Sequence, residues 1–183
     1  GTISRSCLEL VPGNSSRYKS SRTTQALFTH LKSRKGPKAF VFAHVGGRFA
    51  DVKTHDPDCE IAVEVHSAWG TFEWLIQDAL DKGYRIGICA NSDGHKGRPG
   101  ASYPGAAKFG SYGGLTCVLA DRLDRESITD ALFHRRFYAT TGSRILIDLE
   151  LEASSGEKAF MGEVVNAEKK AAKGMVLAGN VSA

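Results

Sequence analysis

Cysteine is sparse and unclustered in this sequence: Cys7, Cys59, Cys89 and Cys117 stand far apart, with no CxxC pair. That spacing argues against a disulfide-dense scaffold or a zinc finger, and Cys89 and Cys117, set in apolar runs, read as small buried hydrophobes. No apolar run approaches the ~20 residues of a membrane span, so no membrane partner is expected. No signal peptide opens the chain, and the cysteine usage does not require an oxidising compartment, which leaves the localisation open. A GxxxxGK[ST] loop is absent, and no GxGxxG follows a strand, so neither common phosphate cradle is present. The net charge is only +4, and its excess sits largely at Arg5, Arg17, Lys19, Arg22, Lys32, Arg34, Lys35 and Lys38. Aromatic residues are not interleaved with these charges and no docking motif accompanies them. A solvated basic surface is therefore expected rather than a nucleic-acid partner.

What is present suits one ordinary domain with a core: 183 residues, 42% hydrophobic and 24% charged. Residues 1–21 are rich in Ser, Gly and Arg and read as an extended opening segment. A helix is expected over 22–34, with Ala26, Leu27 and Leu31 as its apolar stripe and Gly36-Pro37 as its stop. The run 39–43 has strand length and ends in His44. A second strand, 61–65, carries Glu64 and leads to His66, and the helix expected over 70–83 has Phe72, Leu75, Ile76, Ala79 and Leu80 on one face. Strand 86–90 opens on Asp93 and His95. A fourth strand is expected at 115–119, and a helix begins at the cap Asp124 and ends at His134. Near Gly142 this βα rhythm stops: residues 145–151 alternate as a half-exposed antiparallel strand would, and a short apolar run follows at 175–178. The expected organisation is an opening segment 1–21, an α/β unit 22–142 and the start of a β-rich segment 143–183.

Three successive apolar strands thus end in His44, in Glu64 with His66, and in Asp93 with His95. If the strands are parallel neighbours, three imidazoles and two carboxylates share one face, a donor mixture suited to zinc, iron or manganese. Each residue also has an ordinary reading. His44 can be a hydrogen-bonded turn residue, Glu64 can face solvent from an edge, and Asp93-Gly94 is a common turn dipeptide. Their coincidence at three strand ends favours a site. The glycine-rich connection 96–114 would cover a substrate, and Lys96 and Arg98 within it could meet an anionic group. His30 and His55 have no partner pattern, and His134 suits a helix carboxyl end.

Three motifs carry a resemblance: Ala43-His44-Val45-Gly46-Gly47, Val63-Glu64-Val65-His66-Ser67 and Asn91-Ser92-Asp93-Gly94-His95. Together they resemble the polymerase and histidinol phosphatase (PHP) superfamily of metal-dependent hydrolases. The stretches 97–100, 113–116 and 135–142 resemble a PHP-like branch that includes ester and amide hydrolases. The resemblance implies a distorted (β/α)7 barrel with zinc, manganese or iron held by His44, Asp93 and His95. It implies that Glu64 orients a ligand or water; His66 has no general ligand role in the superfamily's motif, and beside Glu64 it is a candidate for orienting a ligand or for proton transfer. The His-x-His pair that opens the superfamily's motif set has no counterpart here, and four strands cannot close such a barrel. The expectation is therefore the carboxyl-terminal part of a barrel followed by the start of a β-rich segment, its site completed by a missing amino-terminal half or by an oligomer. The expected activity is metal-dependent hydrolysis of a small phosphate ester, carboxylic ester or amide by metal-activated water. The alternative is a non-catalytic binding or scaffold domain with an incomplete metal site.

Overall fold

A computed structural model describes residues 23–36, 38–45, 50–95, 97, 112–152 and 156–165, and the backbone of 176–182. The opening segment 1–21 lies outside them. The chain is built around β2 (Glu60–Ser67), eight residues of which only Val65 is not buried. A strand covered on both faces needs apolar residues at nearly every position, and the sequence Ile61-Ala62-Val63 supplies them. Strand β1 (Val41–Ala43) pairs parallel to β2 on one side and β4 (Gly87–Ala90) on the other. The two-residue β3 (Gly70–Thr71) folds back antiparallel on the carboxyl end of β2.

Helix α1 (Thr24–Ser33) starts where the Thr23 hydroxyl accepts the Ala26 amide at 3.1 Å. Helix α2 (Glu73–Asp81) buries Leu75 and Ala79 against Val45, Val52 and Val63. A second cluster joins Ile61, Ala62, Cys89 and Phe137, with the Phe40 ring edge-on to Phe133 at 5.5 Å. Phe133 closes α3 (Arg125–Phe133), whose cap is Asp124, accepting the Ser127 amide at 2.7 Å. Gly87 makes this second core possible, because a Cβ there would lie 2.3 Å from the Phe137 ring.

The expected part of a (β/α)7 barrel is not what the chain forms. The described residues contain three short helices and small mixed sheets, with no closed barrel. Parallel pairing ends at β4. Strand β5 (Leu115–Val118) pairs antiparallel with β6 (Phe137–Thr140), from Leu115 opposite Thr140 to Val118 opposite Phe137. The third sheet is wholly antiparallel: β7 (Leu146–Glu152) lies between β8 (Lys158–Phe160) and β9 (Val176–Ser182). Apolar runs reveal that a segment is a strand but carry no record of its direction, and the barrel expectation takes that direction from the resemblance alone. Tyr138 links the last two sheets, its hydroxyl donating to the Ile145 carbonyl at 2.7 Å and accepting the Ile147 amide at 3.0 Å. Among the described residues no helix is long and apolar enough to cross a membrane.

Candidate functional site

The carboxyl ends of β1, β2 and β4 lie side by side because their register is parallel, with Ala43 opposite Val63 and Glu64 opposite Cys89. His44 follows β1 directly and Asn91 follows β4 directly, so the two side chains reach Glu64 from opposite sides. His44 Nδ1 donates to Glu64 Oε2, and Asn91 Nδ2 donates to Oε1 at 2.6 Å. Glu64 is only 5% exposed. A carboxylate so deeply buried is tolerable only when hydrogen-bonded and charge-compensated; the two donors supply the hydrogen bonds, and His44 supplies the charge when it is protonated. The hydrogen bond to Glu64 holds the His44 imidazole above its usual range, burial opposes it, and the charges of Glu64 and Asp93 add to the rise. Burial, with Glu64 nearby, pushes the Cys89 thiol well up, so it is a packing residue rather than a nucleophile.

Asp93 sits in the turn after β4 with φ +47, a left-handed backbone that Asp tolerates better than most residues. Its Oδ2 is buried without a hydrogen-bond partner among the described residues. A buried, unsatisfied carboxylate oxygen costs about 1–3 kcal/mol, so this atom calls for a cation or a donor. His95 belongs to the same turn: its Nδ1 donates to the Asp93 carbonyl at 2.7 Å and lies 3.5 Å from Asp93 Oδ1.

The three expected ligands are thus not gathered into one set. Among the described residues no three His, Cys, Asp or Glu side chains converge as a metal site. His44 and Asp93 approach each other closely enough for the carboxylate to raise the imidazole, whereas His95, half exposed, is occupied within its own turn. His66 is held at both ring nitrogens. Its Nδ1 meets the Thr71 hydroxyl at 2.8 Å, and Nε2 meets the Tyr112 carbonyl at 2.9 Å. These contacts make it a strut between β2 and the segment entering β5, not a group poised for proton transfer. Lys96 and Arg98 lie outside the described residues.

Three contributors had no role in the sequence reading. Asn91 is the first: it stands two residues after Cys89, the partner of Glu64, a register that no local sequence pattern reveals. Thr116 is the second: its hydroxyl accepts the Ala90 amide at 3.0 Å and donates to the Ala90 carbonyl at 2.7 Å. Gly114 is the third, donating its amide to the Asn91 carbonyl at 2.8 Å. A Cβ at Gly114 would stand 2.5 Å from Ala90 Cβ and 3.0 Å from the His66 ring. The Gly113-Gly114 pair is therefore a point of close backbone approach that seats β5 on the corner.

The family described as "Protein of unknown function (DUF3604)" has a profile that matches residues 90–181, which is half of the chain and begins at the last residue of β4. An uncharacterised protein of Chlamydia pneumoniae is 27% identical over 59% of this chain and 22% of its own length. Uncharacterised proteins of Chlamydia trachomatis serovar D and Chlamydia muridarum are each 25% identical, over 54% and 57% of this chain and 19% and 20% of theirs. The chain spans about a fifth of the length of these curated relatives. No solved structure matches it.

Proposed function

The chain belongs to the DUF3604 family, whose description assigns no reaction, and from the geometry of the corner we propose that it contributes to the centre of a metal-dependent hydrolase. The observation that carries this reading is the pairing of a carboxylate-backed imidazole with an orphaned carboxylate oxygen, His44 on Glu64 beside Asp93 Oδ2. Imidazole and carboxylate together suit zinc, manganese or iron. Glu64 accepts the Nδ1–H hydrogen bond of His44, which in the neutral imidazole leaves the lone pair on Nε2, the arrangement found behind metal-ligating histidines. Asn91 holds the other Glu64 oxygen and so stops the carboxylate from rotating. His44 and Asp93 fit as two donors, and His95 does not join them. A divalent cation bound there would lower the pKa of its water toward neutrality, which is the chemistry that ester, amide or phosphate ester hydrolysis needs. The resemblance of the three strand-end motifs to PHP hydrolases agrees with this reading of the residues, although the barrel it implies is not formed by the described residues.

The test is hydrolysis of p-nitrophenyl phosphate and p-nitrophenyl acetate by the full chain supplied with zinc, manganese or iron(II). The expected result is metal-dependent release of p-nitrophenolate that is lost in Asp93→Ala and in His44→Ala. Release that needs no metal, or that survives both substitutions, contradicts the proposal. One observation favours a second reading, a non-catalytic binding domain: among the described residues two donors converge where a tight site needs three or more. Metal retained by the full chain without any hydrolysis would select that reading.

A further inference from the structure

Away from the strand-end corner, a groove of about 760 Å³ runs along the open face of β2, β4 and β6 beside α2. Helix α2 is too short to cover that face, so Val65, Ile76, Ile88 and Phe137 line the groove with Leu80, which is 54% exposed, and Val164, 52% exposed. Apolar surface left open in one contiguous strip marks a binding surface more often than a lone exposed residue does. The groove is not uniformly apolar. Arg85, just before β4, and Arg135, between α3 and β6, both line it, and both also line a smaller neighbouring cavity of about 450 Å³.

The two guanidiniums have no ion pair among the described residues. Neighbouring cations are already matched: Arg136 with Asp130, and Lys158 with Glu150 and Glu152. Glu163 lines both cavities and spends its Oε2 on the Phe160 amide at 2.9 Å, Glu157 lines the smaller one, and Glu73 borders the groove from the first turn of α2. Arg135 has φ +58, in the left-handed region that glycine, asparagine and aspartate enter most readily. The step is the left-handed turn that ends α3, in which the Arg135 amide bonds the Leu132 carbonyl at 3.1 Å and the Arg136 amide the Ala131 carbonyl at 2.9 Å, and the turn at Gly162 packs on it, where a Cβ would lie 2.2 Å from the His134 carbonyl oxygen. Partial burial, and then the like charge of Arg85, lower the Arg135 pKa. Two like charges bordering one groove, one partly desolvated and neither ion-paired among the described residues, are an arrangement that an anion would relieve.

We propose that this groove binds a small amphipathic anion, its carboxylate or phosphate head between Arg85 and Arg135 and its aliphatic or aromatic body along Val65, Ile88 and Phe137. Guanidiniums suit such heads because their planar donors match two oxygens at once. The apolar strip selects against small hydrated anions. The proposal stands apart from the hydrolase reading, because it needs neither His44 nor Asp93 nor any metal.

The experiment is calorimetric titration of the metal-free full chain with octanoate, octanol and inorganic phosphate. Octanoate is expected to bind in roughly the millimolar range or tighter, as a ligand of its size can, and at least about tenfold more tightly than either of the others. Arg85→Gln and Arg135→Asn are each expected to weaken octanoate about tenfold or more, the loss expected of a charge-assisted hydrogen bond. Asparagine is chosen at position 135 because it tolerates the left-handed backbone, and Arg85 is exposed, so neither change threatens the fold. The proposal is overturned if octanoate does not bind, if octanol or phosphate binds as well, or if both variants bind octanoate unchanged. A dimer that hides the groove and excludes octanoate would overturn it too.

Discussion

Glu64 is the residue on which the corner depends, since both of its oxygens are taken by side chains from flanking strands, His44 and Asn91. Its hydrogen bond is the first cause of the raised His44 pKa. Glu64→Gln keeps the size and removes the charge, so the His44 ring, followed by proton and nitrogen NMR, should titrate lower, toward the ordinary 6.5. An unchanged titration would mean that His44 owes nothing to Glu64. Much of this was legible beforehand. His44, Glu64 and Asp93 stand out in sequence because each interrupts or ends an apolar run. What could not be read was which atoms they use. Nothing in Asn91-Ser92-Asp93-Gly94-His95 says that Asn91 reaches the glutamate while His95 bonds within its own turn, because that depends on the left-handed step at Asp93.

Among the elements, the parallel trio β1, β2 and β4 positions the site, and β5 is pressed against its end through Gly113 and Gly114. Gly114→Ala is expected to destabilise the chain by about 1–3 kcal/mol, the usual cost of overpacking, read as a lower urea midpoint. An unchanged midpoint would show that β5 does not sit this close to Ala90 and His66. At the opposite end of β2, the Lys32 ammonium of α1 pairs with Asp56. That hydrogen bond, then the Asp58 amide and the charges of Lys32 and His55, holds the Asp56 carboxyl below its ordinary 3.8. Because the folded pKa lies below the unfolded one, the pair's contribution is complete above pH 3.8 and is lost as the pH falls through the folded value. The urea midpoint of the wild type should therefore fall more steeply below about pH 4 than that of Asp56→Asn. Parallel profiles would contradict the pairing. Lys32 is largely solvated, so the effect should be small. Helices and the longer strands were visible in periodicity and caps. Strand β6 was not, because Phe137-Tyr138-Ala139-Thr140 follows a basic helix end without a turn signal, and its pairing with β5 is a long-range fact.

For the whole molecule, the sequence pattern told where strands lie but not how they close. Three apolar runs ending in polar residues are compatible with a barrel sector and with an open sheet alike, and the antiparallel β5–β6 ladder decides for the latter. The corner survives that correction, because it needs only three parallel strands and their shared end. The account rests on His44 and Asp93 acting together as donors to one divalent cation. Zinc titration of the full chain against Asp93→Ala and His44→Ala, with each variant's fold checked by circular dichroism, tests it most directly. The account predicts one saturable zinc site in the wild type that is weakened in either variant and no weaker still in the double variant's residual binding. Zinc binding that is absent from the wild type, or unaffected by both substitutions, would contradict it.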